Sequence, residues 1–226
     1  MVENYRPLTI SSHICGTFCG IVDKKLRNVI SFSPRQKGFV HVTGCFNNVH
    51  ILNETIKAAK VRNGLVAIQL DIAKAFDTIP HKDIEEVLKR LGLPKGLLES
   101  IMHSYNDLSS TIEYSRSRTE PSLMIAVKQG DPLSPIVFNA IMDPLFAQLQ
   151  HMKGYVIDES HSLSARAFAD DLILLATTKD TAQRPLRHTD SYLNNLGVRI
   201  AAAKSTSFEI RPNRDSWYSA HQVFVW

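Results

Sequence analysis

The chain has 226 residues, 44% of them apolar and 21% charged, which excludes a disordered or fibrous protein and gives room for one sizeable core or two small ones. Its formal charge of +4 fits a nucleic-acid partner without requiring one, no apolar run reaches membrane-spanning length, and the N-terminus shows no secretory signal pattern. Three cysteines, Cys15, Cys19 and Cys45, lack paired zinc-ligand spacing and read as reduced, buried thiols of an intracellular protein.

In chain order, Ile14, Phe18, Ile21, Val22, Leu26 and Val29 recur at helical spacing and predict a first helix over about His13 to Ile30. Gly16 and Gly20 each weaken it by roughly 1 kcal/mol relative to alanine. Cys15 and Cys19 lie one helical turn apart, which core packing explains. Ser33-Pro34-Arg35-Gln36-Lys37-Gly38 reads as a polar loop whose Arg35 and Lys37 either face a phosphate backbone or are simply solvated. A second helix follows over about Cys45 to Lys60, with Val49, Leu52 and Ile56 as its apolar stripe, and Arg62-Asn63-Gly64 ends it.

Val66, Ile68 and Leu70 then alternate along a strand that ends at Asp71. Pro80 opens a helix carrying Ile84, Val87, Leu88 and Leu91, closed by Gly92, and a further amphipathic helix spans Leu97 to Tyr105. Thr111 to Tyr114 and Met124 to Val127 read as the arms of a hairpin joined by the polar stretch Ser115 to Ser122. A helix starts at Ser134 and Pro135, and Pro144 inside its apolar run should kink or interrupt it. A second hairpin has largely buried arms, Leu163 to Phe168 and Leu172 to Ala176, with Phe168-Ala169-Asp170-Asp171 at its tip. Pro185 to Leu196 reads as a helix ended by Gly197, and after Ser207-Phe208-Glu209-Ile210 the stretch Trp217 to Trp226 shows no clear partner.

The carboxylates carry the chemistry. An Asp-Asp pair in a hairpin is most often solvated turn chemistry, but Asp170 and Asp171 end two dry strands and Asp71 ends a third. Adjacent like charges oppose each other's ionisation, and a buried carboxylate wants a counter-charge. If the Val66–Leu70 strand lies beside the hairpin, Asp71 and Asp170 converge with Asp171 nearby. Hard divalent cations prefer such oxygen ligands, and two of them can clamp the attacking and leaving oxygens of a phosphoryl transfer. A two-metal nucleotidyl-transfer site is the physical expectation.

At these residues the sequence resembles a known family. LDIAKAFDTIPH (70–81), VKQGDPLSP (127–135) and AFADDLILLA (167–176) are similar to the palm motifs of reverse transcriptases, in the family's order and spacing. YRPLTISS (5–12), QKGF (36–39) and GCFNN (44–48) resemble its finger motifs. The wording is that of non-LTR retrotransposon enzymes, above all those of elements inserting into ribosomal RNA genes, and the likeness runs from about Tyr5 to about Lys204. A group II intron or telomerase-type polymerase is the weaker relative.

The resemblance implies an α/β (α+β) right-hand polymerase core of fingers and palm, with an antiparallel palm sheet backed by helices. It divides the chain into fingers over 1–60, palm over 61–210, and the start of a connection toward an absent thumb over 211–226. It makes Asp71, Asp170 and Asp171 the ligands of two Mg2+ ions, or of Mn2+. Arg6 falls where it would touch the triphosphate or the template backbone, and Ile72, Gln129 and Gly130 line the nucleotide or template. Phe76, otherwise a core residue, would abut the sugar and select deoxynucleotides. Lys204 falls near the leaving pyrophosphate. Two departures are Ala126 where the family has glycine and Ala201 where it has asparagine, the latter bearing on how Lys204 is held. Asp77 and His81 read as structural. The implied activity is RNA-directed DNA polymerisation on an RNA template, from a DNA primer and deoxynucleoside triphosphates, in a nuclear protein. The alternative is a truncated, non-catalytic nucleic-acid-binding remnant, because no zinc finger, thumb or endonuclease domain is legible.

Overall fold

The computed structural model describes residues 12–40, 44–62, 64–76, 78–106, 112–114, 117–119, 130–158, 161–213 and 216–221. The elements begin with α1 (His13–Val29), α2 (Gly44–Val61), β1 (Leu65–Leu70), β2 (Ile72–Ala73), α3 (His81–Arg90), α4 (Lys95–Asn106), β3 (Ile112–Tyr114) and β4 (Ser117–Thr119). They continue with α5 (Ser134–Gln150), β5 (Tyr155–Val156), β6 (Ser162–Leu163), β7 (Ala165–Phe168), β8 (Asp171–Ala176), α6 (Lys179–Asn195), β9 (Arg199–Ile200), β10 (Thr206–Asn213) and β11 (Ser216–His221). They form two compact units, one from segments 1–31 and 74–141, the other from 32–73 and 142–226.

The first unit is mainly helical. The Ser12 hydroxyl accepts a hydrogen bond from the Cys15 N–H and caps α1, satisfying a donor the helix cannot. The α1 stripe is narrower than its periodicity suggests: Cys19, Val22 and Leu26 are buried, while Ile14, Ile21 and Val29 are exposed. In α3, Ile84 and Leu88 are buried behind the cap position Pro80. His81 packs edge-on to the Tyr105 ring at 5.4 Å, which fits a structural histidine. β3 pairs with β4, so its partner lies inside the polar stretch expected to be a linker; a short local hairpin closes a smaller loop at lower entropic cost. Met124 to Val127 lie outside the described residues.

The second unit is built on a five-stranded sheet of order β11-β10-β1-β8-β7, antiparallel at every pairing. β1 sits in its middle, with Leu65 opposite Ile210 on one side and Leu70 opposite Leu172 on the other. Both faces of β1 are buried except at Gln69. Leu65 and Ala67 join Ala59, Tyr155, Leu163, Leu175 and Ile210 in a core that Ile51, Leu52 and Ile56 of α2 cover. Val66, Ile68 and Leu70 point the other way and are fully buried as well. At roughly 1.5–3 kcal/mol per buried side chain of this size, β1 is the strand the unit cannot do without. α6 lies against β8 and β9.

Two expectations are corrected, and of the kink or interruption expected at Pro144 the interruption is excluded. α6 begins at Lys179, six residues before Pro185, because Thr178 and Thr181 form a reciprocal capping box; Pro185 is a buried residue inside the helix. α5 runs on through Pro144 without interruption. The stretch after Asn213 is not unpartnered: β11 pairs along β10 from Ser216 to His221 and makes a fifth strand. Among the described residues no helix is long and apolar enough to cross a membrane.

Candidate active site

The β7–β8 hairpin turns through two residues, since Phe168 pairs directly with Asp171 and leaves Ala169 and Asp170 at the tip. Ala169 has φ of 57°, and Asp170 does not share the positive φ. A positive φ at the first central position is where such a turn ordinarily wants glycine, and a side-chain-bearing residue held there costs roughly 1–2 kcal/mol. β1 lies alongside β8, and with Leu70 opposite Leu172 the next residue, Asp71, is level with Asp171. The expected approach of the β1 strand to the acidic hairpin is therefore the observed one.

The carboxylates also act on one another through their charge. Burial first, then the negative charges of Asp170 and Asp71, hold the Asp171 carboxyl above its usual range. Asp71 and Asp170 are half-buried, and none of the ion pairs among the described residues reaches any of the three. These three side chains, with no ion-pair partner among the described residues, are oxygen donors of the kind a hard divalent ion takes, although their oxygens are not gathered within 4.8 Å of one another.

The chain after α6 steadies this strand end. β2 pairs with β9, Ile72 opposite Ile200. The Ala201 N–H donates to the Asp71 carbonyl at 2.8 Å, and the Asp71 N–H donates to the Ser205 hydroxyl at 3.1 Å. Asp71 is thus held through its main chain on both sides, and the alanine at 201 costs nothing there because a backbone group makes the bond. Lys204 is exposed in the same turn, its N–H bonded to the Ala201 carbonyl at 2.9 Å.

The remaining candidates are placed as follows. Ile72 is 4% exposed, so any contact with a nucleotide is through its main chain. Phe76, half-buried in the first unit, stacks on Phe138 at 4.4 Å. Gly130 is exposed with φ of 103°, a conformation that suits glycine. Arg6 and Gln129 lie outside the described residues. Among the cysteines only Cys19 is fully buried; Cys15 is half-buried and Cys45 exposed. The sulfurs of Cys15 and Cys19 and an Asp131 carboxylate oxygen lie within 4.8 Å of one another. Burial, then Asp131, pushes the Cys19 thiol up to about 12, so it stays protonated and donates to that carboxylate.

The polar loop 33–38 proves to be part of the site. Gln36 bridges to Ala167 of β7, the Lys37 N–H donates to the Ala167 carbonyl at 2.9 Å, and the Ala167 N–H to the Arg35 carbonyl at 2.9 Å. Asn48 of α2 donates to the same Ala167 carbonyl and accepts from Arg166. Arg166 is nearly buried and donates also to the Pro34 carbonyl; burial, then the neighbouring Arg35 charge, lowers its pKa. Beside the turn, half-exposed Phe168 shares a shallow cleft with Lys37, Phe39 and Phe46. Periodicity could not reveal Gln36, whose partner Ala169 lies 133 residues away; its place in the QKGF stretch was the available signal.

A family described as reverse transcriptase (RNA-dependent DNA polymerase) matches residues 2–221. The Retrovirus-related Pol polyprotein from type-2 retrotransposable element R2DM of Drosophila melanogaster is 32% identical over 213 residues, 92% of this chain and 20% of that protein. The Retrovirus-related Pol polyprotein from type-1 retrotransposable element R2 of Popillia japonica is 34% identical, over 92% of this chain and 30% of its own length. This chain therefore spans less than a third of either relative. Among solved structures, apo telomerase from Candida tropicalis superposes with a TM-score of 0.65 at 14% identity, over 88% of this chain and 36% of that one, which shows a shared polymerase fold.

Proposed function

Since this chain belongs to the reverse transcriptase (RNA-dependent DNA polymerase) family, we propose that it is the fingers-and-palm core of a retrotransposon RNA-directed DNA polymerase. The observation that carries the reading is the approach of Asp71, Asp170 and Asp171 at one end of the β1–β8–β7 sheet, with burial and mutual repulsion raising Asp171 and no ion-pair partner for any of them among the described residues. The site fits divalent ions by the chemistry of its donors: oxygen only, anionic, and partly exposed.

Asp71 and Asp170 would hold the metal pair, and Asp171 would complete the set. Two Mg2+ ions bound there would supply charge stabilisation for transfer of a nucleotidyl group from a deoxynucleoside triphosphate to a primer 3′-hydroxyl. Chain groups do the rest. The Ala201 N–H and Ser205 hydroxyl fix the main chain at Asp71, so its carboxylate is oriented before substrate arrives. Lys204, exposed in the turn that carries Ala201, offers an ammonium for the leaving pyrophosphate. Phe76 is held by its stack on Phe138 and would present a rigid ring to the nucleotide sugar, favouring deoxynucleotides. Arg6, Gln129 and Gly130 are proposed to contact the incoming nucleotide or the template. Affinity for RNA and primer would fall steeply with salt, because phosphate contacts release counterions. The setting proposed for this activity is the nucleus.

Primer extension on an RNA template with Mg2+ and deoxynucleotides tests the reading, beside Asp170→Ala. Extension that Asp170→Ala abolishes supports it. Extension unaffected by that change, or nucleotide binding indifferent to divalent ions in both proteins, refutes it.

A further inference from the structure

The turn that bears Asp170 is gripped by one side chain. Gln36 is 2% exposed. Its amide oxygen accepts from the Ala169 N–H at 2.9 Å and from the Gly38 N–H at 2.8 Å, and its amide nitrogen donates to the Ala169 carbonyl at 3.1 Å. Two backbone donors meeting at one atom fix which end of the amide is oxygen. Both main-chain groups of Ala169 are thus spent on Gln36, which acts on the turn as a neighbouring strand would. Ala169 is also the residue held at φ of 57°, directly before Asp170. Gly38 closes the grip: a Cβ there would sit 2.8 Å from the Ala169 Cα and 2.9 Å from the Phe168 carbonyl carbon.

We propose that Gln36 is a positioning residue for metal binding, holding Ala169 in its left-handed conformation so that Asp170 and Asp171 are presented together with Asp71. This rests on the polymerase reading and deepens it. No local preference would keep an alanine in that conformation, and nothing else among the described residues hydrogen-bonds both of its main-chain groups. The requirement at position 36 is chemical: an acceptor for two N–H groups and a donor for one carbonyl, on an uncharged chain of glutamine's length. Glutamate would face the Ala169 carbonyl with an oxygen and add charge beside three carboxylates. Methionine would keep the volume and lose all three bonds.

The test compares the wild-type chain with Gln36→Met, Gln36→Glu, Ala169→Gly and the Gln36→Met/Ala169→Gly pair. Amide hydrogen exchange at Ala169 reads the grip, Mn2+ binding by paramagnetic resonance reads the metal site, and primer extension reads kcat and KM. In Gln36→Met we expect Ala169 to exchange at least about tenfold faster while the β1 amides keep their protection. Mn2+ affinity should fall about tenfold and kcat about a hundredfold, with the nucleotide KM little changed. Adding Ala169→Gly should recover at least about tenfold in Mn2+ affinity, because glycine adopts positive φ unaided. A generally weakened fold would not be repaired that way. Unchanged Ala169 exchange in Gln36→Met overturns the proposal, as do lost protection with unaltered Mn2+ affinity and a double variant no better than Gln36→Met. Wild-type Mn2+ binding that Asp170→Ala leaves intact would instead overturn the polymerase reading, and with it any site for Gln36 to position.

Discussion

Gly38→Ala perturbs the site by volume alone. The added methyl would lie 2.8 Å from the Ala169 Cα and 2.9 Å from the Phe168 carbonyl carbon, and closer still to the Ala169 nitrogen, where ordinary contact begins at 3.4 Å. Neither side is a flexible tip. One is the main chain of the acidic turn, and the other is a loop tied to Ala167 through Lys37 and to Gln36 through Gly38 itself. Turn and loop must therefore part by roughly 1 Å, an overpacking that costs about 1–3 kcal/mol. For a chain of this size each kcal/mol lowers Tm by about 2–4 °C. A shift of that size in a proposed metal ligand should cost catalysis about a hundredfold, far beyond what the stability loss explains at a temperature where the variant stays folded. Thermal melting and single-turnover primer extension on the same preparations measure both. Wild-type kcat in a folded Gly38→Ala protein would refute the reasoning, because it would show that the turn can move without consequence.

Other perturbations bear on separate parts. Without metal, Asp171→Asn should melt at or above the wild-type temperature, and it should gain less from added Mg2+. The raised Asp171 carboxyl destabilises the fold once ionised, so the wild-type deficit is full above its folded value and vanishes as pH falls below the ordinary carboxylate value; melts across pH check the sign. Arg35→Gln should weaken RNA binding almost uniformly across sequences and reduce the slope of log affinity against log salt by about 1, read by fluorescence anisotropy; an unchanged slope would remove Arg35 from the phosphate contacts. Ile68→Ala, at a fully buried position of the central strand, should cost about 2–5 kcal/mol in denaturant unfolding; a loss below 1 kcal/mol would contradict the packing described for β1.

The strands that carry the acids were legible because they are chemically extreme. β1 is a short apolar run that leads into an aspartate and β8 one that starts from an aspartate, and their pairing follows once the hairpin is seen. Whatever depended on long-range partners was not legible. Ser216 to His221 is polar enough to pass for a tail, and only the free edge of β10 makes it a strand. Pro185 looked like a helix start because proline favours the first turn, whereas the capping pair Thr178 and Thr181 lacks the acidic or amide residue that usually marks such a box. Gln36 carries no periodic signature. The α1 stripe is narrower than its spacing for the opposite reason, since apolar spacing says which residues share a face but not how much of that face is covered.

The place of β1 at the centre of the sheet sets an order of assembly. It pairs with β8 and β10, whose residues follow it by about a hundred positions or more, and, among the described residues, with no strand made before it. During synthesis at about 5–20 residues per second, an apolar segment with two unpaired edges would wait several seconds or longer for its first partner. That interval is when the chain is most open to aggregation and most in need of a chaperone. The three aspartates come together only when the wait ends, so the proposed metal site would be among the last features of the second unit to form.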